Sequence, residues 1–135
     1  MISALRPGEA VAAAALWDLC GLTRPWNDPA ADIALALATP QATIFADRHD
    51  SELVGTVMMG VDGHRGWIYY LAVAPTRRGQ GLARQLMGEA EAWIAAQGVT
   101  RVNLMVRADN AAVVGFYAHL GYRRSDVTVL QRDLG

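Results

Sequence analysis

Gly79 and Gly81 stand two residues apart in the run Leu71-Ala72-Val73-Ala74-Pro75-Thr76-Arg77-Arg78-Gly79-Gln80-Gly81-Leu82-Ala83, the stretch best equipped to hold a ligand. The run reads as an apolar strand, a break at proline, and a Gly-x-Gly turn opening an amphipathic helix. The first N–H groups of a helix lack intrahelical acceptors and lie at the positive end of its dipole. An anion placed there gains hydrogen bonds and favourable electrostatics together. Glycine has no Cβ and lets a phosphate approach the backbone, while Arg77 and Arg78 add positive charge beside the turn. An ordinary tight strand-to-helix connection would use the same glycines, so the turn alone leaves both readings open.

Proton-transfer chemistry has four candidates: Tyr117, His64, Asp62 and Tyr69. A phenol with a pKa of about 10 holds its proton at neutral pH and can give it to a departing anion. A core aromatic on an amphipathic helix is the plainer reading of Tyr117. His64 is the one of the four whose ordinary pKa lies near neutrality. In a turn, a solvated histidine is the plainer reading. Cys20 is the single cysteine and has no His at metal-ligand spacing, so no metal site and no internal disulfide is expected, in keeping with a reducing cytoplasm.

The elements that must position these groups follow from periodicity and punctuation. Residues 2–6 read as a strand. Residues 8–20 read as an alanine-rich helix offering Leu16, Trp17 and Leu19 to the core and closed by Gly21. Residues 23–29, with Arg24, Trp26, Asp28 and two prolines, form a loop. Asp28 caps a second helix that starts at Pro29 and carries Ile33, Leu35 and Leu37. Residues 42–48, 53–61 and 67–73 are three strands of a meander, joined by His49-Asp50-Ser51-Glu52 and Asp62-Gly63-His64-Arg65-Gly66. A helix from Leu82 to Gly98 buries Leu82, Leu86, Ala90 and Trp93. Residues 101–107 form a strand parallel to the one before that helix. Asp109 or Asn110 caps a last helix with Val113, Phe116, Tyr117 and Leu120 inward, and residues 122–133 supply closing strands. The expected architecture is a single α/β (α+β) domain over residues 1–135, with a mostly antiparallel mixed sheet and about four flanking helices.

Charge is unevenly spread. Residues 1–65 hold 8 acids against 4 arginines and residues 66–135 hold 5 acids against 8 arginines, so the half with the anion turn is the basic one. The acidic half could favour a cationic second substrate, and scattered solvated charges are the alternative. All 12 basic residues are arginine, so a lysine modified by this protein must belong to another molecule. The apolar run from Ala10 to Trp17 is too short for a membrane span, and Pro7, Gly8 and Glu9 interrupt it where the apolar segment of a secretion signal would begin. Neither a membrane nor a nucleic-acid partner is expected.

Two phosphate motifs fail on residue type. A dinucleotide fingerprint needs a small residue at Arg84 and an acid about 20 positions on. A nucleotide-triphosphate loop needs a lysine, and the chain has none. What remains is Arg78-x-x-Gly81-x-Ala83 after a strand. In this the chain resembles the GNAT superfamily of acetyl-coenzyme A-dependent N-acetyltransferases. Its later segment, Asn110, five residues, Phe116-Tyr117, three residues, Gly121-Tyr122, is similar to that family's last helix. Arg24-Pro25-Trp26-Asn27-Asp28 and Asp62-Gly63-His64-Arg65-Gly66 further resemble the bacterial YpeA-type subgroup, and the resemblance then covers nearly the whole chain.

The resemblance implies a GNAT fold with a splayed parallel strand pair. It implies acetyl-CoA as cosubstrate and a primary amine, on a small molecule or a protein, as acceptor. The pyrophosphate would lie on Gly79, Gln80, Gly81, Leu82 and Ala83, the 3′-phosphate near Arg77 or Arg78, and the pantetheine amides along Leu71, Ala72 and Val73. Asn110 and Tyr117 would complete the coenzyme site, with Tyr117 as proton donor to the thiolate. Arg24, Trp26 and Asp28 would shape the acceptor entrance, with packing of Trp26 against the sheet the equal alternative. Many members carry a glutamate on the strand before the loop, whereas Trp67-Ile68-Tyr69-Tyr70 contains no carboxylate. Asp62, His64, Tyr69, a water chain or an already neutral amine are left to account for the amine's proton. A catalytically silent acyl-CoA-binding module is the alternative function, and a monomer or a homodimer is compatible with the pattern.

Overall fold

The computed structural model describes residues 1–135, in which Met1–Met105 form one compact unit and Val106–Gly135 a second. In the first unit five strands pair in sequential order: β1 (Ile2–Ala4), β2 (Ala42–His49), β3 (Glu52–Val61), β4 (Gly66–Val73) and β5 (Val102–Leu104). The first four are antiparallel and β4–β5 is parallel, as the crossover through a helix requires. The β2–β3 connection is a two-residue turn in which Asp50 and Ser51 both take positive φ, 53° and 69°. That twist matches the flanking strands.

Helices α1 (Ala10–Leu19) and α2 (Pro29–Ala38) cover one face, and α3 (Leu82–Ala96) covers the other. Asp28 caps α2 as expected, its carboxylate accepting from the Ala31 amide at 3.1 Å ahead of Pro29. The α1–α2 face buries Leu16, Trp17, Ile33, Ile44 and Val54. Leu19 and Leu35, expected in the core, are instead 67% and 69% exposed. A ten-residue helix has one buried stripe, and Leu16–Trp17 and Ile33–Ala36 already fill it. On the other face, Leu86, Met87, Ala90 and Ile94 lie against a sheet surface kept low by Gly55 and Gly66. No helix is long and apolar enough to cross a membrane.

The strand expected over 101–107 is only Val102–Leu104. In the second unit, α4 (Ala111–His119) follows Asn110, which stands at the N-cap position but whose side chain makes no capping bond. The closing strands expected over 122–133 do not form: residues 123–135 are exposed and carry no helix or strand. Val127 and Val129 alternate as a strand would, but without a paired ladder or a surface to cover, alternation alone does not make one.

Two predictions follow from contacts within the first unit. A Cβ built on Gly66 would lie 2.3 Å from Ile94 Cγ2, a branched atom close to the α3 backbone. Gly66→Ala should therefore destabilise the protein by about 1–3 kcal/mol, and Ile94→Ala in the same chain should recover part of that loss; thermal melts of the four-member cycle measure it. Glu9 binds the Arg48 guanidinium through both oxygens, with Nη2 at 2.6 Å from Oε1. The Arg48 hydrogen bond holds the Glu9 carboxyl at about 2, below its ordinary 4.5. The pair's stabilisation is thus complete above pH 4.5 and lost as pH falls from there toward 2. Glu9→Gln should cost about 1 kcal/mol at pH 7 and progressively less in melts run at lower pH.

Candidate active site

Strand β4 is built for a ligand along one edge. β5 pairs with it only through Gly66, Trp67 and Ile68, so from Tyr69 to Val73 it has β3 on one side and no strand on the other. Such an edge offers amides and carbonyls to an extended, amide-bearing ligand. Opposite this opening β4 bulges. Met58 pairs with Tyr69 and Thr56 with Ala72, leaving Tyr70 and Leu71 to face the single residue Val57. Tyr70 takes φ of 52°, a left-handed value that costs a bulky side chain strain.

The strain is held by a closed set of contacts. Before the bulge Gly66 faces Ile94 of α3, and alternation sends Trp67 to the opposite face of the sheet. The extra residue then turns the Tyr70 ring onto α1, stacked on Trp17 with centroids 3.7 Å apart and planes within 3°. Trp17 Nε1 donates to Thr56 Oγ1 at 2.8 Å, and Thr56 Oγ1 donates to the Tyr70 carbonyl at 3.1 Å. The Tyr70 hydroxyl donates to Asp32 Oδ2 on α2 at 2.7 Å. Burial first, then the Asp32 bond, pushes the Tyr70 phenol far above 10. Trp17, Thr56, Tyr70 and Asp32 were not among the sequence candidates. Their available signals were a threonine inside a buried strand and two adjacent tyrosines where strict alternation would send them to opposite faces.

Beyond Val73 the chain breaks at Pro75, and Gly79 and Gly81 take φ of 81° and 79°. A Cβ at either would meet nothing within 4 Å, so the left-handed backbone, and not crowding by neighbours, is what calls for glycine. No side chain caps the start of α3, whose first turn carries the amides of Leu82, Ala83 and Arg84. The Leu82 side chain is buried in the core, while Gly79, Gln80 and Gly81 are exposed. Arg78 is exposed, and Arg77 is half-buried, 3.9 Å from Glu52. An uncapped 15-residue helix behind an open glycine turn, with two arginines alongside, fits a pyrophosphate and a further phosphate. The adjoining β4 edge fits an amide-bearing arm.

The remaining candidates divide. The Asp62 carboxylate accepts from the amides of His64 at 2.8 Å and Arg65 at 2.7 Å and from Trp67 Nε1 at 3.1 Å. The Arg65 and His64 amides, then Trp67, hold it down to about 2. Asp62 and His64 sit in the β3–β4 turn, at the opposite end of β4 from Leu71. The five residue steps from Gly66 to Leu71 span roughly 16 Å. Tyr69 is two residues from Leu71, 41% exposed, and raised above 10 by burial and then by the Asp62 charge. In the α1–α2 loop, Arg24 turns back onto the Gly21 carbonyl at 2.8 Å and Asp28 serves α2. Trp26, by contrast, is 73% exposed and available. Within the second unit Asn110 is exposed, and Tyr117 makes edge contacts with Phe116 and Tyr122 at 5.2 and 5.7 Å between centroids. Burial raises the Tyr117 phenol above 10.

These features agree with comparison to known proteins. An acetyltransferase of Pectobacterium atrosepticum is 41% identical over 98% of this chain and 94% of its own. Among solved structures, the ribosomal-protein-S18-alanine N-acetyltransferase of Escherichia coli superposes with a TM-score of 0.80 at 24% identity, over 93% of this chain and 78% of that one. The aminoglycoside N-acetyltransferase AAC(6')-Iy, in complex with CoA, gives 0.84 at 17% identity over 98% and 93%. The model of the Acetyltransferase (GNAT) family matches residues 11–122. On the family model and the relative together, the chain belongs to the GNAT acetyltransferases, which use acetyl-CoA as cosubstrate.

Proposed function

We propose that the protein transfers acetyl from acetyl-CoA directly to a primary amine in a ternary complex. The observation that carries this reading is the continuity of an unpaired β4 edge, Tyr69–Val73, with the uncapped first turn of α3. One ligand carrying both amides and a pyrophosphate would engage both. Amides of Leu82 and Ala83, with those of the Gly79–Gly81 turn, hold the pyrophosphate, Arg77 or Arg78 attracts the 3′-phosphate, and Leu71 to Val73 align the pantetheine arm and polarise the thioester. Acetyl-CoA supplies the activated acyl group and a thiolate leaving group.

The amine's lone pair forms the new C–N bond as the C–S bond breaks; the nitrogen loses a proton and the thiolate gains one. Tyr117 gives the second proton. Its place in the last-helix motif and its raised pKa, which keeps it protonated at neutral pH, support that role. On the nitrogen side, Asp62 and His64 sit in the turn before β4, whose first residue, Gly66, is about 16 Å along the strand from Leu71, and the Asp62 carboxyl is too weak a base at about 2. Tyr69 is near but protonated. Water in the mouth beside Tyr69, or an amine arriving neutral, takes the base's part. Trp26 shapes acceptor entry. The E. coli neighbour acts on a protein alanine and AAC(6')-Iy on an aminoglycoside; for this chain both a protein and a small-molecule amine are compatible, and any acceptor lysine belongs to another molecule.

The direct test combines acetyl-CoA binding with thiol release over a panel of amines, peptides and aminoglycosides. Binding with amine-dependent release is expected; tight binding with no release on any acceptor would identify a silent acyl-CoA module. Gly81→Val places a β-branched residue at φ of 79° and should weaken acetyl-CoA binding at least about tenfold, read by calorimetry. Tyr117→Phe should lower kcat by about 100-fold with acetyl-CoA affinity unchanged, and equal kinetics would remove Tyr117 from the reaction.

A further inference from the structure

We propose that Trp17, Thr56 and Tyr70 form a one-way hydrogen-bond relay that fixes the direction of the Leu71 N–H, the donor aimed at the thioester carbonyl. Thr56 and Trp17 are positioning residues in this scheme and touch no reacting atom. The proposal deepens the acetyl-transfer reading and rests on it.

Direction follows from the chemistry of the groups. An indole N–H can only donate, so Trp17 Nε1 occupies a lone pair of Thr56 Oγ1 at 2.8 Å. The hydroxyl has a single proton, and the Tyr70 carbonyl at 3.1 Å is the acceptor beside it. Both Trp17 and Thr56 are fully buried, so water does not compete for the bond between them. The Tyr70 carbonyl is therefore drawn toward β3. No peptide bond in the chain is cis, and in a trans peptide the N–H points opposite to the C=O. Hence the Leu71 N–H is directed away from β3, toward the side where β4 has lost β5 beyond Ile68.

Tyr70 and Leu71 are the two β4 residues without a Cα partner in the β3–β4 register, and the Thr56 hydroxyl reaches the carbonyl of the peptide that joins them. The carbonyl so held belongs to a residue with a strained left-handed φ of 52°. Two further contacts oppose relaxation: the Trp17 stack on the ring and the Asp32 bond to the phenol. A donor already aimed before the substrate arrives is worth most to a developing oxyanion, since nothing must reorganise during the reaction.

The test uses the whole protein and acetyl-CoA labelled with 13C at the thioester carbonyl. Binding affinity by calorimetry, the carbonyl chemical shift and steady-state kinetics with an amine that supports thiol release are measured in parallel. The wild type is expected to bind and to displace the carbonyl resonance from its free position. Thr56→Val should bind acetyl-CoA with unchanged affinity but lose that displacement, with kcat down at least about tenfold and KM for acetyl-CoA unchanged. Thr56→Ser, which keeps the hydroxyl, should restore both. Because Thr56→Val strands the buried indole N–H and can unfold the protein, Trp17→Phe is the second variant. It keeps a ring against Tyr70 but frees the hydroxyl to rotate, and should reduce the displacement. A carbonyl shift that is the same in wild type, Thr56→Val and Trp17→Phe, with binding intact, overturns the relay. Failure of the wild type to bind acetyl-CoA overturns the donor reading itself, and the relay with it.

Discussion

The site depends on a single unpaired position in one ladder. Val57 of β3 faces two residues of β4, and the surplus forces Tyr70 into a left-handed backbone. That local defect has consequences in three directions. It ends regular alternation just where β5 stops pairing, it sends Tyr70 toward α1, and it leaves two residues of β4 without Cα partners. A strained bulky residue persists only where its surroundings outvote it. Here the vote is cast by an aromatic stack, a threonine hydroxyl and an aspartate from three other elements.

Those contacts also explain why α1 and α2 belong to the site although neither supplies an acceptor-binding group of established role. Trp17 is the largest fully buried side chain and sits at the centre of the α1–α2 face. Its apolar body stabilises the core by burial and its one polar atom is satisfied within that core, so the same residue serves packing and alignment. Asp32 makes the comparable link from α2. The α1–α2 layer is in this way mechanically joined to β4.

Much of this was legible from residue types. Asp28-Pro29 marked a capped helix, Pro75 with Gly79 and Gly81 marked the turn, and the order of apolar runs implied the mixed sheet, because each is a local signal with a local cause. The failures share a different cause. Leu19 and Leu35 are as apolar as Leu16, and only the width of the buried stripe decides between them. The strand expected over 101–107 forms, but only at Val102–Leu104, and those expected over 122–133 do not form, because a strand exists only with a partner, and partners are not a property of the segment. The bulge was hidden because its evidence, Thr56 against Trp17, is separated by 39 residues of chain.

Gly66 and Ile94 meet near one end of α3, and the Gly79–Gly81 turn lies at the other. From Leu82 to Ile94 a helix spans about 18 Å, so it behaves as a lever pivoting on the sheet. A tilt of only about 3° at that pivot would swing the turn by roughly 1 Å, comparable to the misplacement that costs an enzyme much of its rate. The missing side chain of a glycine thus sets the aim of a group that it never approaches.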